Sequence, residues 1–503
     1  MAYRLRMRYA VAIISFFGFI LNHSLKNVTN VTLVAMTEGA HHADHQHTHK
    51  YNQPTNGTAE ISTSSSNDSP DDHLIHWDPQ TRNSIQSAFF FGYIVLQLPA
   101  GRIAELVGSR HIFGPAILCS SLLGTLFPLA ARSGVFWTKL VRGLQGLCLG
   151  VTFPCMHGLL SQWAPITERS LMVTSVFAGG PMGIVVVEIL SGYLSGLTWM
   201  DGWPLVYYAI GIFGAIWYVF WYIYVYNSPE THPMITKEEL REINEGRNKS
   251  NKNKKEPLPW LKMLGTIEIY AIIVAHTTFA WTMYVTVIQE PNYMSGVLGV
   301  DIEENGLLSS LPHLAFALSS ICFGYICDYL RKTGRLSVTK LRKIFNTIGA
   351  IGPAICYIII PHLGHGKVMV NILFVVAMVL SSSTVTGSST NHVDLSPTFA
   401  GTLMGVSNFF SNIPGVLVSE AHSLMVGESK EIKDWSYLFY LTSLIGLFGG
   451  MFYAIFASSK IQPWDPESEA HQSDYNQNEI NKQPSSELPK QIVFNVDENR
   501  ARF

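Results

Sequence analysis

Phe136–Trp163, FWTKLVRGLQGLCLGVTFPCMHGLLSQW, decides how the chain is read. It is long enough to cross a bilayer, almost wholly apolar, and carries Arg142 inside. At about 1.5 Å per residue, Arg142 lies roughly 12 Å in from the turn at Ser133-Gly134. An arginine in hydrocarbon costs at least ~2.5–3.5 kcal/mol, so its place is a protein interior or a wet cavity. Gly143, Gly146 and Gly150 follow and make a thin face on which another helix can lie closely. A cation on a smooth, close-packed helix points to an anion pathway between moving helices. The other reading of Arg142 is a side chain that snorkels to the nearer headgroup layer.

Working outward, apolar stretches of similar length recur at about 9–36, 81–107, 111–131, 135–160, 170–196 and 204–227. They resume at about 265–290, 304–328, 341–362, 368–391, 398–425 and 434–458. The expected fold is therefore an all-α membrane protein with twelve transmembrane helices in two pseudo-symmetric six-helix bundles. Its parts are a short N-terminus (1–8), a first bundle (9–227) with a long loop (37–80), a linker (228–262), a second bundle (263–458) and a disordered tail (459–503). Composition agrees: of 503 residues 48% are hydrophobic and 14% charged, with mean hydropathy +0.20. A soluble chain of this size is not so apolar. The formal net charge of -2 gives no reason to invoke nucleic acid. The six cysteines all fall inside apolar runs, with no disulfide framework or metal spacing. The N-terminus imitates a signal peptide, but no small-residue cleavage site follows its apolar run, so it reads as a retained first helix.

Lysine and arginine crowd the N-terminus, the 228–262 linker and the 331–343 turn. An even number of spans puts these on one side with the C-terminal tail, and that side is expected to be the cytosol. The 37–80 loop then faces away from it. The sequons at Asn56 and Asn67 fit glycan acceptors there. Its cluster His41, His42, His45, His47 and His49 reads either as a metal- or pH-sensitive element or as plain hydrophilic loop.

The two halves repeat each other. Gly101-Arg-Ile-Ala-Glu105-Leu-Val-Gly108-Ser-Arg110 follows the second span, and Gly324-Tyr-Ile-Cys-Asp328-Tyr-Leu-Arg331-Lys332 follows the eighth. Each sets a glycine four residues ahead of an acid with basic residues beyond, a turn that packs helices closely and can latch them with a charge pair. Glu105, Arg110, Asp328 and Arg331 are the gating candidates there. Paired signatures imply related bundles with a cavity between them.

These turns resemble those of the major facilitator superfamily. The finer resemblance is to its anion:cation branch, which holds sialin, the vesicular glutamate transporters and the type I sodium–phosphate cotransporters. It is carried by Phe89-Phe-Phe-Gly-Tyr93, Arg142-Gly-Leu-Gln-Gly146, Gly150-Val-Thr-Phe-Pro154, His157-Gly, Trp163-Ala-Pro, Glu168-Arg-Ser170, Trp281-Thr-Met-Tyr284, Asn305-Gly-Leu-Leu-Ser-Ser-Leu-Pro312 and Asn391-His-Val-Asp394. The departures bear on function. Sialin-like members carry an acid where this chain has Leu149, and arginine where the first span has Lys26. The glutamate members' second-span histidine and seventh-span arginine match Gln86 and Phe279 here, which argues against a vesicular glutamate carrier. Loss of the fourth-span acid resembles the phosphate and organic-anion members instead.

The resemblance implies a secondary active transporter, not an enzyme, moving inorganic phosphate or an organic carboxylate or sulfonate by alternating access. Na⁺ or H⁺ would be the coupling ion and no cofactor is needed. The expected partners are the small anion, the cation and the bilayer, with the chain working as a monomer. The alternatives are a proton-coupled sialin-like exporter, a transporter-shaped sensor and a conductive anion pathway. The plasma membrane is the default location, a lysosomal or vesicular membrane the alternative. Lys26 lies roughly 27 Å from the start of its helix, about level with Arg142, so two cations would meet an anion at one depth. Tyr93, Tyr284 and Asn408 lie where the cavity would be. Glu188, in the fifth span, either binds the coupling cation in place of the missing acid at 149 or neutralises Arg142 when the site is empty. His157, Asn391 and His392, near the basic side, are gating candidates.

Deleting His41–His49 should leave uptake unchanged across pH and zinc concentration. A pH or zinc effect that disappears on deletion would make the cluster a regulator.

Overall fold

A computed structural model describes residues 6–38, 75, 77–195, 197, 199–245, 257–300, 302–427 and 429–468. The histidine cluster and the sequons at Asn56 and Asn67 lie outside the described residues. No strand occurs among those described. The first bundle comprises α1 (Met7–Glu38), α2 (Pro79–Val107), α3 (Arg110–Ser133), α4 (Val135–Trp163), α5 (Ile166–Ser195) and α6 (Trp203–Tyr224). The second comprises α7 (Ile267–Gly296), α8 (Ile302–Lys332), α9 (Val338–Leu363), α10 (Lys367–Leu395), α11 and α12 (Ile432–Phe456). Eleven described helices are long and apolar enough to cross a membrane. The twelfth crossing, α11, is interrupted at Asn412 into Ala400–Ser411 and Ile413–Met425. Pro414 supplies the reason, since it cannot donate to the preceding turn.

Packing repeats between the halves. In the first bundle α1 lies on α5, α2 on α4, and α3 on α6; in the second, α7 lies on α11, α8 on α10, and α9 on α12. The bundles meet through α2 and α4 against α11, and through α8 against α5. Large apolar side chains such as Phe91, Phe136, Ile189, Phe213, Leu307 and Leu444 remain exposed, as a lipid-facing surface requires.

The glycine face of α4 does what its sequence implies. A side chain at Gly146 would strike the carbonyl oxygen of Phe89, and one at Gly150 that of Tyr93, so α2 and α4 cross backbone to backbone. Gly179 and Gly183 make the same close approach from α5 to the carbonyls of Phe16 and Ile20 on α1. The regular helix is also interrupted at Ala178.

Two boundaries differ from the sequence reading. The seventh span, expected to end near 290, continues to Gly296 through a π-helical segment, Val285–Gln289, ahead of Pro291. Pro291 offers no N–H to the turn before it, and a wider turn is one way to absorb that loss. The tail, expected to be disordered from 459, is ordered as far as Ser468. Asp465 accepts from Thr398 Oγ1 at 2.8 Å and from the hydroxyl of Ser396, and Trp464 Nε1 donates to Thr266 Oγ1 at 3.0 Å.

In the linker, Lys237–Asn244 forms a short helix whose Glu239 accepts from the first N–H groups of α1, Met7 at 3.0 Å and Arg8 at 2.9 Å. Arg8 also donates to Glu242 at 2.8 Å, and that hydrogen bond holds the Glu242 carboxyl below the ordinary glutamate range. The lowered value means the contact is complete at neutral pH and is lost as acid protonates Glu242.

Gly146→Val should destabilise the protein by about 1–3 kcal/mol or more, because backbone has to move. At Gly143 the nearest atom to an added Cβ is 3.6 Å away, so Gly143→Ala should be tolerated. Thermal melting of the two variants in detergent distinguishes them; equal melting would contradict the backbone contact.

Candidate functional site

The centre of the interface holds the two cations the sequence singled out. Arg142 is 2% exposed. Its guanidinium donates to the carbonyls of Leu25 (3.3 Å) and Lys26 (3.1 Å) and to Gln145 Oε1 (3.1 Å), and lies over the Phe89 ring at 4.6 Å. Its Nε is buried with no partner. Snorkelling is thereby excluded: the group faces the interior. Lys26 lies at the same level, as its carbonyl's bond to Arg142 requires. Its ammonium sits among three rings, Phe90 at 5.4 Å, Tyr93 at 5.2 Å and Tyr284 at 5.9 Å. The first two belong to α2 and the third to α7, so the cage joins both bundles. Among the described residues neither cation has a carboxylate partner. Asn408 of α11 lies beside Tyr93, its Nδ2 buried without a hydrogen-bond partner, and Tyr284 donates to Asn412 Oδ1 at 3.4 Å. All five expected binding residues therefore converge.

The pairing expected between Glu188 and Arg142 is not formed. Arg142 is turned to the carbonyls of α1, whereas Glu188 leaves α5 on the side that meets the second bundle, within electrostatic reach of Glu290 on α7.

Toward the face that carries the basic turns, the bundles are interlocked. Glu105 accepts from the N–H of Thr402 at 3.0 Å and from its hydroxyl at 2.9 Å, at the start of α11. Asp328 accepts from the N–H groups of Ser170 (3.3 Å) and Leu171 (2.7 Å), at the start of the regular helix of α5. Each acid thus occupies the N-terminus of a helix in the opposite bundle, where unpaired donors and the helix dipole favour negative charge. The glycine of each motif is needed for the approach: Gly101 abuts the backbone of Gly401, and Gly324 abuts the Thr174 hydroxyl and, behind it, the backbone of Leu171.

The sequence reading expected these turns to latch helices with a charge pair; Arg110 takes no part in one. Its guanidinium donates to the Tyr222 carbonyl at 2.6 Å and lies over Tyr226 at 4.2 Å. Arg331 reaches the latch only by its charge, acting on Asp394. Arg102 pairs with Glu105 at 3.3 Å within the motif, and two buried pairs at 2.8 Å lie beside it, Arg169–Asp394 across the bundles and Arg342–Asp394 within the second.

His157 and His392 are brought together, with ring centroids 5.3 Å apart. His157 Nε2 faces the Ser389 carbonyl at 3.3 Å, and His392 Nδ1 faces the same oxygen at 2.9 Å. Sequence reading missed His276, which shares the Ser407 hydroxyl with His392 at 3.1 and 2.7 Å. A lone histidine in the middle of the seventh span was the available signal. Asn391 donates to the Ser458 carbonyl at 2.9 Å and so ties α10 to the end of α12. No group of three or more histidine, cysteine or acidic side chains suited to a metal occurs among the described residues.

Two pseudo-symmetric bundles, a polar centre and a closed latch on one face define a secondary transporter that works by exposing its centre to alternate sides. The chain belongs to the Major Facilitator Superfamily, whose sequence model matches residues 11–419. It is 39% identical to vesicular glutamate transporter 2 of Homo sapiens over 397 residues, 78% of this chain and 67% of that one. To vesicular glutamate transporter 3 of Danio rerio it is 35% identical over 472 residues, 92% of this chain and 75% of that one. The anion-transporting branch expected from the motifs is thus the right one, although these relatives come from its glutamate arm. Among solved structures it resembles the proton:xylose symporter XylE (TM-score 0.64, 15% identity, 92% of this chain and 98% of that chain). It also resembles a bacterial homologue of ferroportin in an outward-facing state (TM-score 0.60, 14% identity, 89% and 98%). At such identities these likenesses speak to the fold.

Asp394→Asn should loosen the latch, leaving two buried arginines without a charged partner. Cys327 reports on it, being 1% exposed with its sulfur 3.6 Å from Arg342 and 3.7 Å from Ser170. In a background where Cys327 is the sole cysteine, the substitution should speed its maleimide labelling at least about tenfold. Breaking a buried pair costs about 3–5 kcal/mol, and about 1.4 kcal/mol is already tenfold. Unchanged labelling would show that the latch does not depend on Asp394.

Proposed function

We propose that the chain moves a small organic carboxylate across the membrane by alternating access, with Arg142 and Lys26 as its electrostatic anchors. The carrying observation is the Lys26 ammonium, caged by rings from both bundles, beside Arg142 and without a carboxylate partner among the described residues. A cation so placed attracts an anion, and a cage built from both bundles lets anion binding bear on how they sit together. The fork of Arg142 suits two oxygens of a carboxylate, and the ammonium serves as a point charge. Tyr93, Tyr284 and Asn408 offer hydroxyl and amide donors. The names of the relatives favour an amino-acid-like carboxylate. Inorganic phosphate is the second reading, favoured by Leu149, Gln86 and Phe279 in place of the acid, histidine and arginine that the glutamate and sialin members carry.

A downhill cation, Na⁺ or H⁺, drives the cycle, and Glu188 takes part in binding it. The basic face is cytosolic. The protein acts as a monomer in the plasma membrane or, as the relatives' names favour, in a vesicular one. His157 and His392 act with the latch as gating residues.

The deciding experiment is uptake of labelled glutamate, phosphate and other small anions into proteoliposomes, with Na⁺ and pH gradients imposed separately. Arg142→Lys keeps the charge and loses the planar fork. It should reduce uptake at least about tenfold, in keeping with the about 1.5–3 kcal/mol of a hydrogen bond to a charged group. Near-normal uptake at matched expression would remove Arg142 as the anchor.

A further inference from the structure

The half of the molecule away from the latch holds a second constellation, which reaches beyond Glu188. Glu290 on α7 is 1% exposed, and neither of its carboxyl oxygens has a hydrogen-bond partner. Among the described residues the charge that acts on it is that of Glu188 on α5, one of whose oxygens is also buried and unpartnered. One carboxylate comes from each bundle. Both stand far along helices that begin at the basic face, about 30 and 35 Å from their starts at 1.5 Å per residue.

Glu290 directly follows the π-helical segment Val285–Gln289, and such bulges recur at functional sites. Thr286 of that segment is hydrogen-bonded to the Tyr357 hydroxyl at 2.6 Å, and the Tyr357 phenol lies close enough to Glu290 to feel its charge. Tyr293, one turn further on, carries another buried hydroxyl without a partner.

A carboxylate buried as fully as that of Glu290, with the half-buried Glu188 within electrostatic reach, is costly to keep ionised without a counter-charge. Among the described residues no cationic side chain is paired with either. Lys26 of α1 is held among its rings, and His23 of α1 faces the Phe19 carbonyl. His313 of α8 gives Nδ1 to the Ser309 carbonyl and His422 of α11 lies against Trp435, and the Nε2 of each is buried without a partner, bonded to neither glutamate. Tyr207 of α6 is bonded to Thr29 and Thr32.

We propose that Glu188 and Glu290 together form a binding site for one monovalent cation, H⁺ or Na⁺, shared between the two bundles. This rests on the reading of the chain as a cation-coupled transporter and gives the coupling a mechanism. With the cation present the carboxylates can lie close, and the bundles can close on this side. Without it their repulsion drives α5 from α7, and this side opens. Closure on the side away from the latch therefore requires the ion, which is what coupling demands.

The test is infrared difference spectroscopy on the purified full-length protein in lipid nanodiscs, stepping pH first in choline and then in Na⁺. In choline a protonated-carboxyl band should grow as pH falls. It should be lost in Glu290→Gln and lost or displaced in Glu188→Gln. Glu304→Gln, at an exposed carboxylate paired with Lys367, should leave it unchanged. Suppression of the band by Na⁺ identifies Na⁺ as the competing ion; a band indifferent to Na⁺ identifies H⁺; both support the site. Should Glu290→Gln fail to fold, Glu290→Asp keeps the acid and should move the band instead of abolishing it. A band absent from wild type in choline, or unaltered by changes at both glutamates, overturns the proposal. The transport reading stands or falls separately, on whether labelled anions enter proteoliposomes at all.

Discussion

A carboxylate set on the first N–H groups of a helix that belongs to another part of the chain is the interaction on which this structure turns. Glu105 of the first bundle occupies the start of α11, and Asp328 of the second occupies the start of the regular helix of α5. Glu239 of the linker does the same for α1. Each contact satisfies donors that a helix cannot satisfy itself, and does so with charge-assisted hydrogen bonds at the positive end of a dipole. Such contacts suit a joint that has to open. They are strong when the geometry is complete, and water at the membrane face can replace them when it is not. A hydrophobic interface of similar extent would have no such substitute.

The demands of this joint explain which sequence features could be read. A helix end can receive a side chain from another bundle only if the backbones approach closely, so a glycine precedes each acid by one turn. Gly101–Glu105 and Gly324–Asp328 are legible for that reason: spacing, residue type and repetition all follow from one geometric need. The glycine face of α4 is legible on the same ground. The identity of each acid's partner is not, because Thr402, Ser170 and Leu171 all give backbone N–H groups, which every non-proline residue has, and only Thr402 adds a hydroxyl. Arg110 misleads for a related reason. Sequence proximity to Glu105 implies a charge pair, but the side chain reaches back to aromatic rings and a carbonyl on α6.

Other features escaped because they depend on where a helix ends or which way it is turned. Glu290 is a boundary residue if the seventh span stops there and an interior residue if the helix continues to Gly296, as it does. Hydropathy cannot distinguish these, since the deciding element is a widened turn before a proline. Glu188 was recognisable as an intramembrane acid, yet the helix face that carries it could not be assigned from α5 alone. The intramembrane cation that the sequence offered as its partner was Arg142, whose guanidinium is already taken up by the carbonyls of α1. His276 was a lone histidine until folding set it on the Ser407 hydroxyl shared with His392. The ordered start of the tail was hidden because its polar composition resembles disorder, while Asp465 fastens it to Ser396 and Thr398 and Trp464 to Thr266.

The charges of the interior are sorted by height, and this bears on how a binding event could be felt at either end. At the basic face Asp394 answers two arginines, and Glu105 and Asp328 answer helix ends, so negative charge there is compensated while the face is closed. At the centre Arg142 and Lys26 have no acid among the described residues and rely on carbonyls and aromatic faces, which stabilise a cation without neutralising it. On the remaining side Glu188 and Glu290 have no basic partner among the described residues. The centre is therefore short of an anion and the far side short of a cation, a complementary imbalance that fixed side chains do not remove. Leu149, wholly buried where related transporters carry an acid, is consistent with it: a carboxylate there would offer the central cations a partner inside the first bundle. Because Lys26 is caged by rings from both bundles and the two glutamates also come one from each, relieving either imbalance acts on the same relative movement. That is the physical condition for two ligands to be coupled without touching each other.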